Sequence, residues 1–269
     1  MPILRHGDDS PWVSEVQTAL KAGGFYERRV DGDFGDGTAN AVRAFQHSVP
    51  LAVTGEADEP TVRALGLGHL VGTVSVSSPE SVALVFPGTR FANIEVNLPF
   101  VVKGLVASGL DDKRMLLMAL ATIRAETSTF LPISEGVSRF NTSPGGQQFD
   151  LYDNRGDLGN RGRPDGDRFK GRGYIQLTGR ANYADIGQRI GLGGGLVDNP
   201  DKANDPEIAG RILAEFLKRS ETRIRAALDA KDLTTARARV NGGSHGLNPF
   251  RTAYLRGEEV YADDLRLLV

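Results

Sequence analysis

Two glutamates stand nine positions apart in the stretch AETSTFLPISEG, residues 125 to 136, with Pro132 between them. Paired carboxylates do glycosidic chemistry when their surroundings differ: one must hold a proton for the leaving oxygen, and the other must be free to activate water. The residues before Glu126 favour the first role. Leu116, Ala119, Leu120 and Ile123 recur at helical spacing within DKRMLLMALATIRAE (112 to 126), and Glu126 continues their stripe. The edge of an apolar core discourages a charge, which suits a group that starts as a proton donor. Glu135 follows the helix-breaking Pro132 and lies between Ser134 and Gly136, in a polar loop that solvates a charged base. Asp150, Asp153 and Asp157 compete with it for that second role.

A second group of polar residues falls in FKGRGYIQLTGRANY, 169 to 183. Gly171 and Gly173 admit the close approach of another backbone or a ligand. Tyr174 to Thr178 alternates, so Tyr174, Gln176 and Thr178 are expected on one face, towards a cleft, with Ile175 and Leu177 pointing into a core. Arg172, between the two glycines, reads either as a cation that steadies a cleft carboxylate or as a surface charge. Asn241, before Gly242 and Gly243, reads either as a cleft residue or as the end of a helix.

These groups need a sizeable core, and 269 residues with 40% hydrophobic and 25% charged residues allow one large domain or two unequal ones. No apolar run approaches the roughly 20 residues that span a bilayer, so no stable membrane association is expected. The start, MPILRHGDDS, lacks the basic and apolar regions of a secretory signal. With no cysteine there are no disulfides, thiol nucleophiles or cysteine metal sites, and the four histidines, at 6, 47, 69 and 245, form no HExxH pattern. Neither a metal nor another cofactor is expected. Six basic and ten acidic residues precede Leu67, and 26 and 24 follow Gly66, so neither part carries the positive excess that nucleic acid demands. The run DGDFGDG (31 to 37) has Gly35 and Asp36 where a calcium loop needs an oxygen ligand and then glycine, and it reads as turns.

The first third of the chain contains an echo. GDGTANAVRAF (35 to 45) and GEADEPTVRAL (55 to 65) match at an offset of 20, each as a turn leading into a short helix, with Thr38 and Asp58 as expected N-caps. A helix from Ser10 to Ala22, stopped by Gly23 and Gly24, precedes them. Residues 1 to 66 thus read as a three-helix module, 67 to 79 as a Gly- and Ser-rich linker, and 80 to 269 as a mainly helical domain. Helical periods recur at 205 to 220 and 221 to 230, around a helix-poor stretch at 136 to 173.

Through VQTAL, GFY, VDGDFGDGTANAVRAFQ and VTGEADEPTVRAL, the module resembles the small peptidoglycan-binding domain of cell-wall hydrolases. From about Pro79 the chain resembles the family 19 glycoside hydrolases, the chitinase-like domain also used in phage endolysins. FKGRGYIQLTGRANY carries the GRG-x-IQL-[ST] signature, and AETSTF, ISEGVSRF, NPDKANDPEIAGRILAEF and VNGGSHG match other segments. The family has His before the acid and Gly three positions after it, where this chain has Ala125 and Thr129. The resemblance implies a two-lobed, lysozyme-like α-rich fold and an inverting mechanism. It makes Glu126 the acid, Glu135 the base and Thr178 the hydroxyl that holds the attacking water, with Gln176, Tyr174, Asn182, Asn241 and Arg172 binding sugar. Together the resemblances imply a monomeric endolysin whose partner is the glycan strand of bacterial peptidoglycan, held in the host cytoplasm until lysis. A chitinase, a secreted effector and a non-catalytic wall-binding protein fit the same residues.

Overall fold

The computed structural model describes residues 3–72, 77–241 and 246–268. The protein is mainly helical, and the described residues form only isolated bridges in place of strands. The module opens with α1 (Pro11–Ala22), where Ser10 accepts from the Val13 amide at 3.3 Å and Pro11 fills the first turn. Val13, Val16, Gln17 and Leu20 form its buried face. Helices α2 (Asp36–Ser48) and α3 (Glu59–Ala64) complete the module. Asp58 caps α3 as expected, but α2 starts earlier than expected, after Gly35, so that Thr38 lies buried inside the helix.

Two glutamine amides fasten the module's loops. Gln17 Oε1 accepts from the amides of Asp31 and Gly32, both at 3.0 Å, and its Nε2 reaches Asp31 Oδ1 at 2.8 Å and Thr38 Oγ1 at 3.0 Å. Gln46 repeats the arrangement, accepting from Thr54 and Gly55 at 2.9 Å each and donating to Thr61 Oγ1 at 2.9 Å. A buried amide satisfied at both ends avoids the desolvation cost of an orphan group. The structural repeat therefore pairs Gly32 with Gly55 and Thr38 with Thr61, a register different from that of the V-R-A echo. Asp31, the first residue of the supposed calcium loop, is engaged by Gln17 and by the Asp33 amide at 3.1 Å.

The expected linker begins with a short 3-10 turn at Gly68–Leu70, whose Leu70 is buried, and its residues 73–76 lie outside the described residues. Ser78 and Ser81 then form a capping box at α4 (Pro79–Ala83). Helices α5 (Phe91–Ala107) and α6 (Lys113–Glu126) follow. Past the helix-poor stretch, which holds only short helices α7 (Asp150–Asp153) and α8 (Asp165–Arg168), come α9 (Arg180–Arg189), α10 (Gly195–Asp198) and α11 (Pro206–Arg219). The chain closes with α12 (Glu221–Asp229), α13 (Leu233–Asn241) and α14 (Leu247–Val260). Every residue of α6 from Met115 to Ile123 is buried, so the apolar stripe read from its sequence widens to the whole circumference. Helices α5, α11 and α14 pack around it.

Helices α5 and α11 cross with their backbones in contact. A Cβ on Gly104 would run into Gly210 O, and one on Gly210 into Phe100 O. Backbone cannot yield as a side-chain tip does. Gly104→Ala should therefore destabilise the protein by about 1–3 kcal/mol despite alanine's better helix propensity. Gly68→Ala, which meets open space, should melt like the parent protein. Equal melting temperatures for all three would show that the crossing is looser than described.

The module also docks directly on the larger domain. Arg256 of α14 donates to Leu84 O at 2.6 Å and to Asp8 Oδ1 at 2.7 Å, while Asp8 Oδ2 accepts from the Arg5 amide at 2.8 Å. Asp8 is fully buried, and burial pushes its carboxyl up to about 6 against the opposing pull of Arg256 and Arg5. Burial likewise lowers Arg256, with Asp8 opposing. Between about pH 4 and 6 the folded protein thus holds a proton on Asp8 that the unfolded chain has released. The stability from this group is fully present below pH 4 and is lost as pH rises through about 6, on the order of 3 kcal/mol. Melting temperatures at pH 4 and 7 should show that decline relative to Asp8→Asn, which carries no charge to bury; parallel curves would contradict it.

Candidate active site

Glu126 is the last residue of α6, and its side chain retains 15% of its exposure. The edge-of-core position is as expected, but its neighbour is not hydrocarbon. Arg237 of α13, whose side chain is wholly buried, donates to Glu126 Oε1 at 2.5 Å. The Arg237 guanidinium also lies 5.7 Å from the Phe250 ring centroid. The carboxyl is thereby held in one orientation at the rim of the core.

Glu135 is fastened more heavily than a polar loop suggests. Its backbone amide donates to Gly171 O at 2.7 Å, and the Gly171 amide donates back to Oε2 at 3.1 Å. Oε1 accepts from Asn141 Nδ2 at 2.8 Å and from Tyr152 OH at 2.9 Å. Burial and the Glu135 charge push the Tyr152 hydroxyl up to about 12, so it remains a donor. Gly171 is required by this approach: a Cβ there would lie 2.8 Å from Gln176 Oε1 and 3.2 Å from Glu135 Oε2.

The two carboxylates face one open cleft of about 690 Å³, shared with Tyr152, Gln176, Thr178 and Asn182. Thr178 Oγ1 donates to Gln176 O at 2.8 Å, and Asn182 Nδ2 donates to Thr178 O at 2.7 Å. Of the alternation expected from 174 to 178, Ile175 and Leu177 are buried in the core and Gln176 and Thr178 reach the cleft as expected, while Tyr174 departs from it. The segment is a turn closed by the Arg172 and Leu177 bridge, with Gln176 at φ 54°, and the edges of Ile175 and Leu177 also border the cleft. Phe216 and Val240 add to its apolar wall.

Tyr174, expected in the cleft, is fully buried, and its hydroxyl donates to Asn97 Oδ1 at 2.8 Å, because the turn rotates it into the core. Arg172 likewise points away. It is buried, donates to Asp201 Oδ1 at 2.9 Å and to Tyr183 OH at 3.1 Å, and steadies the turn rather than a cleft carboxylate. Asn241 ends α13, but its side chain lies outside the described residues, as does His245. Asp150 is taken up by Ser143, Asp153 by the Gly166 amide at 2.8 Å and Asp157 by Arg155, and none of the three lines the cleft. Arg237, Tyr152 and Asn141 were not legible in the sequence, since none lies in a motif that points to the acids.

A larger cavity, about 780 Å³, lies at the opposite end of α6, around Asp112, Lys113 and Arg114. Several of its charges pair with one another, as in Arg225 to Asp112 and Lys113 to Asp263. The smaller cleft is the one that brings Glu126 and Glu135 together.

Residues 9–65, nearly the whole of the module, match the family described as a putative peptidoglycan binding domain. Among curated proteins, the chain is 56% identical over 51 residues to an acidic endochitinase of Solanum chilense, a match to 19% of this chain and 20% of that one. It is 57% identical over 51 residues to an acidic 26 kDa endochitinase of Solanum lycopersicum, again 19% and 20% of the two chains. The chain thus matches about a fifth of the length of these relatives. Among solved structures, chitinase C of Streptomyces griseus aligns at 17% identity and a TM-score of 0.49, covering 71% of this chain and 79% of its own. A Burkholderia AP3 phage endolysin aligns at 18% identity and a TM-score of 0.31, covering 96% and 99%. No helix among the described residues is long and apolar enough to cross a membrane.

Proposed function

We propose that this protein is an endolysin that binds peptidoglycan through residues 1 to 66 and hydrolyses its glycan strand in the cleft of residues 80 to 269. The bond cut is the β-1,4 linkage between N-acetylmuramic acid and N-acetylglucosamine. The observation that carries the reading is the convergence of Glu126 and Glu135 on one cleft, from separate elements and each fixed in place by hydrogen-bond donors. Glu126, steered by Arg237, protonates the leaving oxygen. Glu135, held by three donors, takes a proton from water, and Thr178 accepts or donates to the same water. Attack from the face opposite the leaving group inverts the anomeric centre. Gln176 and Asn182 line the path of the sugar.

A second reading, a chitinase, is favoured by the identity shared with two endochitinases over 51 residues. Digestion of purified peptidoglycan beside chitin oligomers, with products read by mass spectrometry, separates the two. New reducing ends on N-acetylmuramic acid support the wall enzyme. Cleavage confined to chitin oligomers selects the second reading, and wall binding without any new reducing end removes both.

A further inference from the structure

A module that serves only as an anchor has no need of buried charge where it meets the enzyme, yet Asp8 is fully buried against Arg256. The contact continues on both sides of that pair. The Gly88 amide donates to Gly7 O, and the Phe91 amide donates to Asp9 Oδ2 at 3.3 Å. Three consecutive residues of the module, 7 to 9, thereby hold the segment from Leu84 to Phe91. Asp9 is followed directly by Ser10, the cap of α1, so the docking loop is an extension of the module's own framework.

The held segment in turn grips the chain just after Glu126. Thr89 Oγ1 donates to Ser128 O at 2.7 Å, and Asn93 Nδ2 donates to Thr129 O at 3.0 Å. Arg124, two residues before the acid, donates to Pro87 O and Thr89 Oγ1, both at 3.0 Å. The Phe86 and Phe130 rings meet edge to face, with centroids 4.8 Å apart. The gripped loop would not hold its shape unaided, because Ser128 and Phe130 sit at φ 51° and 59°, a region that residues with side chains occupy only under constraint.

We propose that the peptidoglycan-binding module is a positioning element for the catalytic acid: its loop 7 to 9, through the segment 84 to 93, fixes the strained turn that follows Glu126. The inference rests on Glu126 being the acid, and it replaces the picture of an independent anchor on a linker. Asp8 and Thr89 are positioning residues, since neither lines the cleft.

The test uses the full-length protein and two readouts: hydrogen exchange at the amides of residues 127 to 130, and turnover of short soluble glycan fragments that need no anchoring. Asp8→Lys opposes Arg256 with a second cation and should undock the loop. Exchange at 127 to 130 should rise roughly tenfold, the worth of one such hydrogen bond. kcat on the fragments should fall roughly ten- to a hundredfold with KM little changed, as expected of a misplaced acid. Binding to insoluble wall should persist, and the conservative Asp8→Asn should restore both readouts. If Asp8→Lys fails to fold, Thr89→Val decides, because it removes only the hydroxyl that ties Ser128, and the same two changes are expected. Parent-like exchange and kcat in a folded Asp8→Lys, or in Thr89→Val, would overturn the proposal. Glu126→Gln separates this from the catalytic reading, since it should abolish turnover while leaving exchange at 127 to 130 unchanged.

Discussion

Glu126→Gln should lower glycan hydrolysis by about two to four orders of magnitude, the usual contribution of general acid catalysis. The amide keeps the size of the carboxyl, and its oxygen can still accept from Arg237, so wall binding and melting temperature should hold. What it loses is a proton to give. Among the described residues that line the cleft, the only other carboxylate is Glu135, which is fixed by other donors. Near-normal release of reducing ends by the variant would therefore remove the mechanism itself.

Glu135→Gln should be as damaging to activity, and unlike the first substitution it should also destabilise the protein. Asn141, Tyr152 and the Gly171 amide all point donors at this side chain. An amide has one oxygen, so its NH₂ must face at least one of those donors, at a cost of about 1–3 kcal/mol for the pairing left unmade. Calorimetry should show the loss, and activity assays on the folded fraction should show the missing base. The reaction course gives a further check. Inversion needs the two carboxyl groups roughly 6.5 to 9.5 Å apart, with water between them. Proton NMR of the first product should then show the inverted anomer, and retention of configuration would reassign Glu135 as a nucleophile.

How well the sequence could be read depended on the distance over which each feature was decided. The helical module, the cap at Asp58 and the long buried α6 follow from neighbours a few residues apart, where capping and period act. Both candidate acids were legible for the same reason, one at a helix end and one beyond a proline. Arg237 was not, because its meeting with Glu126 spans 111 residues and depends on how α13 lies against α6. Tyr174 went wrong through a period: alternation assumes a strand, and one residue at positive φ, Gln176, turns the segment so that hydroxyl and ring go to the core. Nothing in the sequence around Asp8 marks it as buried, since burial between two units has no local signature.

The two glutamine rivets bear on how this chain could be reused. Every partner of Gln17 and Gln46 lies between residues 26 and 61, so each amide carries its whole socket with it. A graft taken from Asp9 onward would transplant both sockets intact and leave the buried acid behind with its arginine. A graft taken from Leu4 would carry Asp8 to a host that has no cation waiting for it. The shorter graft escapes the charge but gives up Leu4, which is fully buried and bridged to Ala57, so the portable unit trades a stray acid against a piece of its own core.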